Sequence, residues 1–448
     1  MLRLFSGSAV IRLSGAAAQL LLTLVIARVC GAHEAGIFFF GYSILMIMST
    51  LVRLGSEYSG LRNVAAQLDA GDVRAVRRSV DSRLAVVVTT GALTAAILAC
   101  SAPIVAGWTL GDGAEPALVL LGLAVLPAAL IYLLAEMMKG AQRAWVALAF
   151  QNVAVPGLSV ATVLALSLFA SLDAWNIAAV LCVTNWLVAM GALVAWLVIL
   201  RERFGEVGPV SVSREEIRQV FNDSPSLLVV SMTTVVMQWM GATILAFLAP
   251  AAEVAGYSVA MRISIAVSII HSAASSVVGP QMSVAYAGGD LSRLRRVCHQ
   301  TGILIAFISW PILLVLFVFA GPSMAVFGSG YAEFADVLRV LLVAQFVAAL
   351  IGHSGMVLVM AGRYGLARTN SVIAAMSLVT LSFIAVPYGG ALGAAVAMCA
   401  AVVVGHLTGL VMVRRSLEIW TIPLAASQIA EAVRAGGREG SDESASRR

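Results

Sequence analysis

Charged residues are scarce in this sequence. Only 11% of the 448 residues are Asp, Glu, Lys or Arg, whereas 60% are hydrophobic and the mean hydropathy is +0.97. Soluble proteins carry about 25% charged residues. The alternation of apolar and polar residues that marks the strands of an outer-membrane barrel is also missing. The composition therefore indicates an integral membrane protein built from helices, because lipid offers the backbone no hydrogen-bond partners.

Residues that bind metals or form disulfides are few and dispersed. The five cysteines show no C-x-x-C spacing, and the five histidines include no pair at positions i and i+4. We therefore expect no disulfide, no metal and no other cofactor. Long loops are missing as well, since no predicted connection exceeds about 25 residues. A membrane glycosyltransferase or polymerase, which needs gathered catalytic groups, is for that reason the least favoured function, and we expect a protein that is not an enzyme.

Long apolar runs, in contrast, recur along the whole chain. Each is about 20 residues or longer, which is enough to cross about 30 Å of hydrocarbon as a helix. We predict an all-α integral membrane protein with about twelve transmembrane helices. The predicted helices cover residues 9–30, 36–58, 84–108, 117–138, 146–171, 175–200, 224–249, 255–285, 301–320, 337–361, 365–386 and 389–413.

The distribution of basic residues predicts the orientation of these helices. Every even-numbered predicted helix is followed by Arg or Lys, as at Arg77 and Arg78 after the second one. The opposite connections carry acidic residues such as Asp173 and Glu333 and almost no basic ones. Basic loops stay in the cytoplasm by the positive-inside rule, so both termini are predicted to be cytoplasmic. The net charge of +5 is explained by this topology and needs no nucleic-acid partner.

Two stretches of the first half of the sequence recur in the second half, and nearly the same number of residues separates the members of each pair. Glu34, followed by a glycine and aromatic residues, aligns with Glu253, followed by Gly256 and Tyr257. Further along, AGDVRAVRRS at 70–79 matches GGDLSRLRRV at 288–297. We predict two pseudo-symmetric six-helix bundles related by an axis along the membrane normal, with the transport pathway between them. The predicted domains are an N-terminal bundle at 1–200, a cytoplasmic linker with a short amphipathic helix at 201–222, a C-terminal bundle at 223–415 and a largely disordered cytoplasmic tail at 416–448.

Charged residues interrupt the apolar sequence where the first two predicted helices meet. Arg28 lies near the end of the first helix and His33 and Glu34 follow it, and only the acid recurs in the second half, as Glu253. We interpret the acid and the following Gly-aromatic break as a shared structural element. The segment around Arg28 is then predicted to be a hinge at the outer surface.

Four sequence patterns resemble those of a known family. They are ARVCGAHEAGIFFFGYSI, LAPAAEVAGYSVAMRIS, AYAGGDLSRLRR and VFGSGYAEFADVLRVLLVAQFVAAL. In their order they resemble the oligosaccharide flippases of bacterial polysaccharide and O-antigen biosynthesis, in the multidrug/oligosaccharidyl-lipid/polysaccharide exporter superfamily. The resemblance implies a cavity between two bundles that opens alternately to the two sides of the bacterial inner membrane. Its implied substrate is an undecaprenyl-pyrophosphate-linked oligosaccharide for lipopolysaccharide or exopolysaccharide, and its implied partners are membrane lipids and a polymerase or glycosyltransferases of that pathway.

The same superfamily supplies two alternative functions. A cation-coupled multidrug antiporter would present acidic and aromatic residues to its substrate, whereas the deep charges here are mainly arginines. A lipid II flippase typically has two further C-terminal helices, for which we expect no room in this chain.

Arginines inside the predicted helices are the candidate substrate ligands. Their insertion costs about 2.5 to 3.5 kcal/mol at the centre of a helix, so each needs a partner, a wet cavity or access to the interface. The planar guanidinium suits the paired oxygens of a pyrophosphate. Arg12 and Arg28 lie near helix ends and could instead reach water, and Arg53 could pair with Glu57 one turn later. Arg262 lies about 10 Å into its helix and has no acidic residue three or four positions away.

Three further residues are candidates for proton or ion coupling. His271 and His353 fall deep in the eighth and tenth predicted helices, and Glu57 lies at the end of the second. Each histidine could carry a proton or could be a neutral hydrogen-bonding group between helices. No acidic cluster predicts a sodium site, so the sequence leaves the coupling ion open.

Overall fold

The computed structural model describes residues 2–109, 113–204, 212–223, 225–352 and 354–420. Within these ranges the chain forms sixteen α-helices, one π-helix at Ala149–Ala154 and one 3-10 helix at Ser329–Phe334, and contains no strand. The predicted all-α membrane fold is confirmed.

The first half of the chain contains the first eight α-helices. They are α1 (Leu2–Arg53), α2 (Ser56–Asp69), α3 (Val73–Thr109), α4 (Glu115–Leu123), α5 (Val125–Gly140), α6 (Ala144–Leu148), α7 (Val155–Ser167) and α8 (Ala174–Phe204).

The remaining helices follow in the second half. They are α9 (Arg214–Asp223), α10 (Pro225–Leu248), α11 (Ala251–Ala287), α12 (Leu291–Val318), α13 (Ala320–Ala325), α14 (Ala335–Ile351), α15 (Ser354–Met360) and α16 (Tyr364–Leu417).

Nine helical segments of the described ranges are long and apolar enough to cross a membrane. Two of them, α1 and α16, are bent by glycine: Gly31 has φ 76° and ψ 175°, and Gly390 has φ 49° and ψ −128°. Only glycine adopts such conformations without strain. Counting each half of the bent helices and adding α11 gives the twelve predicted crossings. The break predicted between residues 30 and 36 is therefore a one-residue bend, and the helix resumes directly after it.

Large apolar side chains are exposed along these helices. Phe169, Phe307 and Trp108 keep 88%, 78% and 76% of their surface accessible. A soluble protein rarely exposes so much apolar surface, whereas lipid solvates it. The chain is thus a multi-pass membrane protein.

The described chain divides into two compact units. Unit 1 comprises Met1–Ala266, Phe319–Leu341 and Ala374–Ala401. In this unit α1 packs along α10, and α2 packs on α5. Small residues permit the close contacts: Gly36 lies so near the carbonyl of Ala251 that an added Cβ would overlap its oxygen. Unit 1 thereby joins residues of the first half of the sequence to the start of the second.

Unit 2 comprises Val267–Val318, Leu342–Ile373 and Val402–Arg448. Its described core includes the buried side chains of Met282, Leu294, Leu358 and Val413. A hydrogen bond of 2.5 Å from Thr408 Oγ1 to Asn370 Oδ1 is a polar contact within the unit.

A short helix predicted in the linker is present as α9, and it starts with a capping box. The backbone N–H of Ser213 donates to Glu216 Oε2 at 2.8 Å, and the N–H of Glu216 donates to Ser213 Oγ at 3.2 Å. These reciprocal bonds satisfy two backbone donors that a helix start leaves without partners. The tail predicted at 416–448 lies mostly outside the described residues.

Candidate functional site

Two of the predicted arginines lie on the aromatic rings of one cluster in unit 1. The guanidinium carbon of Arg262 is 4.2 Å from the centroid of the Trp239 ring, and that of Arg53 is 4.8 Å from the centroid of the Tyr132 ring. Tyr42 completes the group with an edge-on contact to Trp239, at 5.1 Å and 70° between planes. Tyr132 interacts electrostatically with both arginines. We call these five residues the arginine–aromatic cluster.

Four helices supply the cluster. Tyr42 and Arg53 come from the part of α1 that follows the bend at Gly31, whereas Tyr132, Trp239 and Arg262 come from α5, α10 and α11. Along α1, Phe38 and Tyr42 are four residues apart and stack at 5.7 Å, because residues i and i+4 share a helix face. The rings provide partners for the two guanidinium groups, and such a contact is worth about 2 kcal/mol when desolvated.

Arg53 also forms the predicted ion pair with Glu57. Arg53 Nε is 3.5 Å from Glu57 Oε1, and the two side chains expose only 7% and 6% of their surface. Thr50 Oγ1 accepts a hydrogen bond from Arg53 Nη2 at 3.0 Å, and Ser231 Oγ donates to Glu57 Oε1 at 3.1 Å. Among the described residues, Arg53 Nη1 and Glu57 Oε2 have no hydrogen-bond partner. Protein groups of the described residues thus satisfy the guanidinium and the carboxylate of this pair only in part.

A break in the backbone places Glu57 next to α10. Leu54 and Gly55 adopt φ angles of 55° and 78° between α1 and α2. Gly55 packs so closely against the backbone of Leu228 in α10 that a side chain would overlap it. The short non-helical step brings α2, and with it Glu57, to Ser231.

Polar residues continue from the cluster along one face of α5. Tyr132, Glu136 and Lys139 have the i, i+4, i+7 spacing of a single helix face. Lys139 Nζ donates to Glu136 Oε1 at 2.5 Å and to Gln151 Oε1 at 2.7 Å. Gln151 belongs to the π-helix Ala149–Ala154, and such widened turns occur frequently at functional sites. Lys139 lies in the last turn of α5, one residue beyond the end of the helix predicted at 117–138.

Arg12 and Arg28 make none of the cluster's contacts. Arg12 is exposed near the start of α1. Arg28 is exposed just before the bend, and its Nε donates to the backbone oxygen of Val326 at 2.7 Å. Arg28 thereby links α1 to a segment of the second half that follows α13.

The side chains of the two histidines that are candidates for proton coupling are not described by the structure. His353 lies outside the described residues. The backbone of His271 is part of α11, and its side chain lies outside the description. Within the described ranges, no group of three or more His, Cys, Asp and Glu residues has the arrangement of a metal site.

The two recurring glutamates make equivalent contacts. Glu34 Oε2 accepts the backbone N–H of Ala174, the first residue of α8, at 2.9 Å. Glu253 Oε2 accepts that of Ala391, directly after the bend in α16, at 2.6 Å. Both carboxylates satisfy a backbone donor at the start of a helical segment, where negative charge is also favoured. The interpretation of the acid as a shared structural element agrees with these contacts.

Comparison with known proteins gives one family and several similar folds. A family described as "Polysaccharide biosynthesis protein" matches residues 5–285, more than half of the chain. No curated protein matches the sequence.

Solved structures of transporters share the fold. An inward-facing multidrug resistance MATE family transporter of the MOP superfamily superposes with a TM-score of 0.73 at 14% identity, covering 92% of this chain and 98% of that one. The lipid II flippase MurJ in its inward closed conformation gives 0.70 at 13% identity, with 92% and 87% covered. An outward-facing MATE transporter gives 0.63 at 15% identity, with 92% and 95% covered.

Proposed function

This chain belongs to the polysaccharide biosynthesis protein family. We propose that it is a membrane flippase of the MOP superfamily, whose fold it shares, and that it carries an undecaprenyl-pyrophosphate-linked oligosaccharide across the bacterial inner membrane. The proposed mechanism is alternating access. The substrate-binding site is the arginine–aromatic cluster, where Arg262 and Arg53 hold the pyrophosphate.

The charge of the cluster is the observation that carries this proposal. Two guanidinium groups lie within membrane-spanning helices, and Glu57 neutralises only one of them. The excess positive charge attracts a polyanion, and Arg53 Nη1 has no protein partner to give up. Charge-assisted hydrogen bonds to phosphate oxygens are about twice as strong as neutral ones. The pyrophosphate would thus supply the negative charge and the hydrogen-bond acceptors that the cluster lacks.

The neighbouring polar face of α5 suits the saccharide part of the same substrate. Glu136, Lys139 and Gln151 offer both donors and acceptors, as sugar hydroxyls do. A lipid-linked saccharide bound by its pyrophosphate at Arg53 would reach this face through Tyr132. A polymerase or glycosyltransferases of the same pathway would supply or receive the substrate.

The cation-coupled multidrug antiporter is less well supported by the cluster. Aromatic faces bind cationic drugs by cation–π contacts. Here Arg262 and Arg53 already occupy the faces of Trp239 and Tyr132. A cationic substrate would have to displace like charges, which electrostatic repulsion opposes.

A lipid II flippase would use the same headgroup chemistry, because lipid II also carries a pyrophosphate. The match to the polysaccharide family favours the polysaccharide substrate over this alternative. Coupling to a proton would involve Glu57, whose Oε2 has no hydrogen-bond partner among the described residues. His271 and His353 remain predictions for the same role.

The test compares variants of Arg262 in polysaccharide export. Arg262→Ala should abolish export while the protein still inserts, and Arg262→Lys should restore it only in part, because an ammonium lacks the planar fork. Arg339→Ala is the matched control, since Arg339 pairs with Asp336 at an exposed position of α14. Binding of undecaprenyl pyrophosphate to the purified variants should fall about tenfold or more for Arg262→Ala. Full export and binding by that variant would overturn the assignment.

A further inference from the structure

Three polar side chains of unit 1 form a closed triad of hydrogen bonds. Lys139 Nζ donates to Glu136 Oε1 at 2.5 Å and to Gln151 Oε1 at 2.7 Å, and Gln151 Nε2 donates to Glu136 Oε1 at 3.3 Å. Each member thus contacts both others. The ammonium and the carboxylate neutralise each other, so the triad carries no net charge.

The triad is accessible to a ligand. The side chains of Lys139 and Glu136 keep 22% and 11% of their surface exposed, and Gln151 lies on the π-helix, whose residues are all partly exposed. An ammonium has three N–H groups, and Lys139 uses two of them within the triad. The third N–H group and the further lone pairs of Glu136 can bond a hydroxyl group, which both donates and accepts.

An exposed aromatic ring lies at the same place. Tyr58 of α2 keeps 47% of its surface accessible, and it interacts electrostatically with the carboxylates of Glu57 and Glu136. A glycine lets α2 and α5 approach closely, because an added Cβ at Gly140 would lie 2.7 Å from the backbone oxygen of Leu61. Tyr58 is thus close to both the proposed pyrophosphate site and the triad.

An aromatic ring beside a set of hydrogen-bonding groups suits a carbohydrate. The C–H faces of a sugar ring are apolar and gain from packing on an aromatic ring, whereas the sugar hydroxyls need donors and acceptors. Tyr58 offers the ring, and the triad offers both kinds of polar group.

The neutrality of the triad determines which charge a bound sugar can carry. The carboxylate of an acidic sugar would lie beside the carboxylate of Glu136 and would find Lys139 already paired. Removing a charge from water without a new partner is unfavourable. A hydroxyl group meets no such penalty, so the triad discriminates against acidic sugars.

We propose that Tyr58 and the triad bind the saccharide that follows the pyrophosphate, and that they select uncharged sugars over acidic ones. The inference rests on the proposed function, because a pyrophosphate held by Arg53 would bring the saccharide to this place. Glu136 determines the selectivity: it neutralises Lys139, so the ammonium is not available to an acidic sugar.

The test measures the binding of three probes to the purified full chain. They are undecaprenyl pyrophosphate and the same lipid carrying either glucose or glucuronic acid, two sugars that differ only in a hydroxymethyl group or a carboxylate at C6. We expect the wild type to bind the glucose form about tenfold more tightly than the glucuronic acid form. Glu136→Gln frees the ammonium of Lys139 and should shift this ratio about tenfold towards the glucuronic acid form.

Further variants separate charge from shape. The double variant Glu136→Gln with Lys139→Met is uncharged again and should regain the preference for the glucose form. Glu202→Gln is the matched control, because it removes a carboxylate from an exposed ion pair with Arg143 and should leave the ratio unchanged. Tyr58→Ala should weaken both glycosylated forms relative to undecaprenyl pyrophosphate, and Tyr58→Phe, which keeps the ring, should restore them.

Failure of this inference differs from failure of the proposed function. A wild type that binds undecaprenyl pyrophosphate but does not prefer the glucose form would overturn the inference alone. A wild type that binds none of the three probes would overturn the proposed function and the inference with it. An unchanged ratio in Glu136→Gln would also reject the assignment. If that variant fails to insert, Tyr58→Ala decides, and an unchanged affinity for the glucose form would reject the site.

Discussion

Ser43 and Thr243 share a hydrogen bond of 2.8 Å between their hydroxyl groups, although 200 residues separate them in the sequence. The bond joins α1 to α10, and thus the two halves of the sequence, within unit 1. Alternating access requires contacts of this kind to break in the other state of the cycle. Cross-linking this pair is therefore a direct test of the proposed mechanism.

We predict that cross-linking these two positions blocks transport. In a background without the five native cysteines, Ser43→Cys with Thr243→Cys should form a cross-link with a short bifunctional thiol reagent, and export should stop. Each single cysteine treated with the same reagent is the control and should retain export. Undiminished export by the cross-linked protein would show that α1 and α10 stay together throughout the cycle.

Variants of the buried Arg53–Glu57 pair distinguish its contribution to stability from its role in transport. Glu57→Leu alone leaves Arg53 buried without its partner and should destabilise the protein by about 3 to 5 kcal/mol. Adding Arg53→Met removes the unpaired charge, so the double variant should recover most of the stability. Thermal unfolding in detergent measures both.

Export by the double variant then tests the proposed ligand role of Arg53. A stable double variant that exports no polysaccharide agrees with a phosphate contact at this position. Normal export by that variant would show that the pair only stabilises the structure and that Arg53 does not bind the phosphate.

The Arg53–Glu57 pair and the capping box of α9 could be predicted from the sequence because both are local: their residues are three or four positions apart. The contact of Arg262 with Trp239 could not be predicted in this way. It joins two helices. The chain has eight tryptophans, and no sequence spacing distinguishes Trp239 from the others. The sequence predicts a hinge between the helices at 9–30 and 36–58, but not that the bend is confined to Gly31, because a glycine that turns a helix within one residue leaves the same apolar pattern on both sides.

Because Gly36 is closely packed and Gly157 is not, alanine substitutions at these two glycines should differ in their effect on stability. Gly36→Ala places a methyl group on the carbonyl of Ala251 and should force α1 away from α11. We expect a loss of about 1 to 3 kcal/mol, as for overpacked cores. Gly157→Ala is the matched control: an added Cβ at that site of α7 meets no atom within 4 Å, and helix propensity makes the change neutral or favourable. Equal melting temperatures of the two variants would contradict the close approach.

The predicted orientation is tested by cysteine labelling in intact cells. Single cysteines at Asp173 and Glu333 should react with an impermeant reagent added outside, whereas those at Arg74, Arg214 and Arg295 should react only after the membrane is opened. The reverse pattern would place both termini outside the cytoplasm.

The carboxylate contacts at the helix starts should contribute equally in both halves. Glu34→Ala and Glu253→Ala each remove an acceptor from one backbone N–H and should cost about 0.5 to 2 kcal/mol. Glutamine at either position keeps an acceptor oxygen and should cost less. A large loss at only one site, measured by thermal unfolding, would mean that the two contacts are not equivalent.

Each glutamate contact closes within one half of the sequence: Glu34 reaches Ala174 in the first half, and Glu253 reaches Ala391 in the second. Neither half depends on the other for the carboxylate or for the helix start. Under the predicted duplication, a six-helix ancestor would already have formed the complete contact by itself. Only contacts between the halves, such as the one of Ser43 with Thr243, would then have had to arise after the duplication.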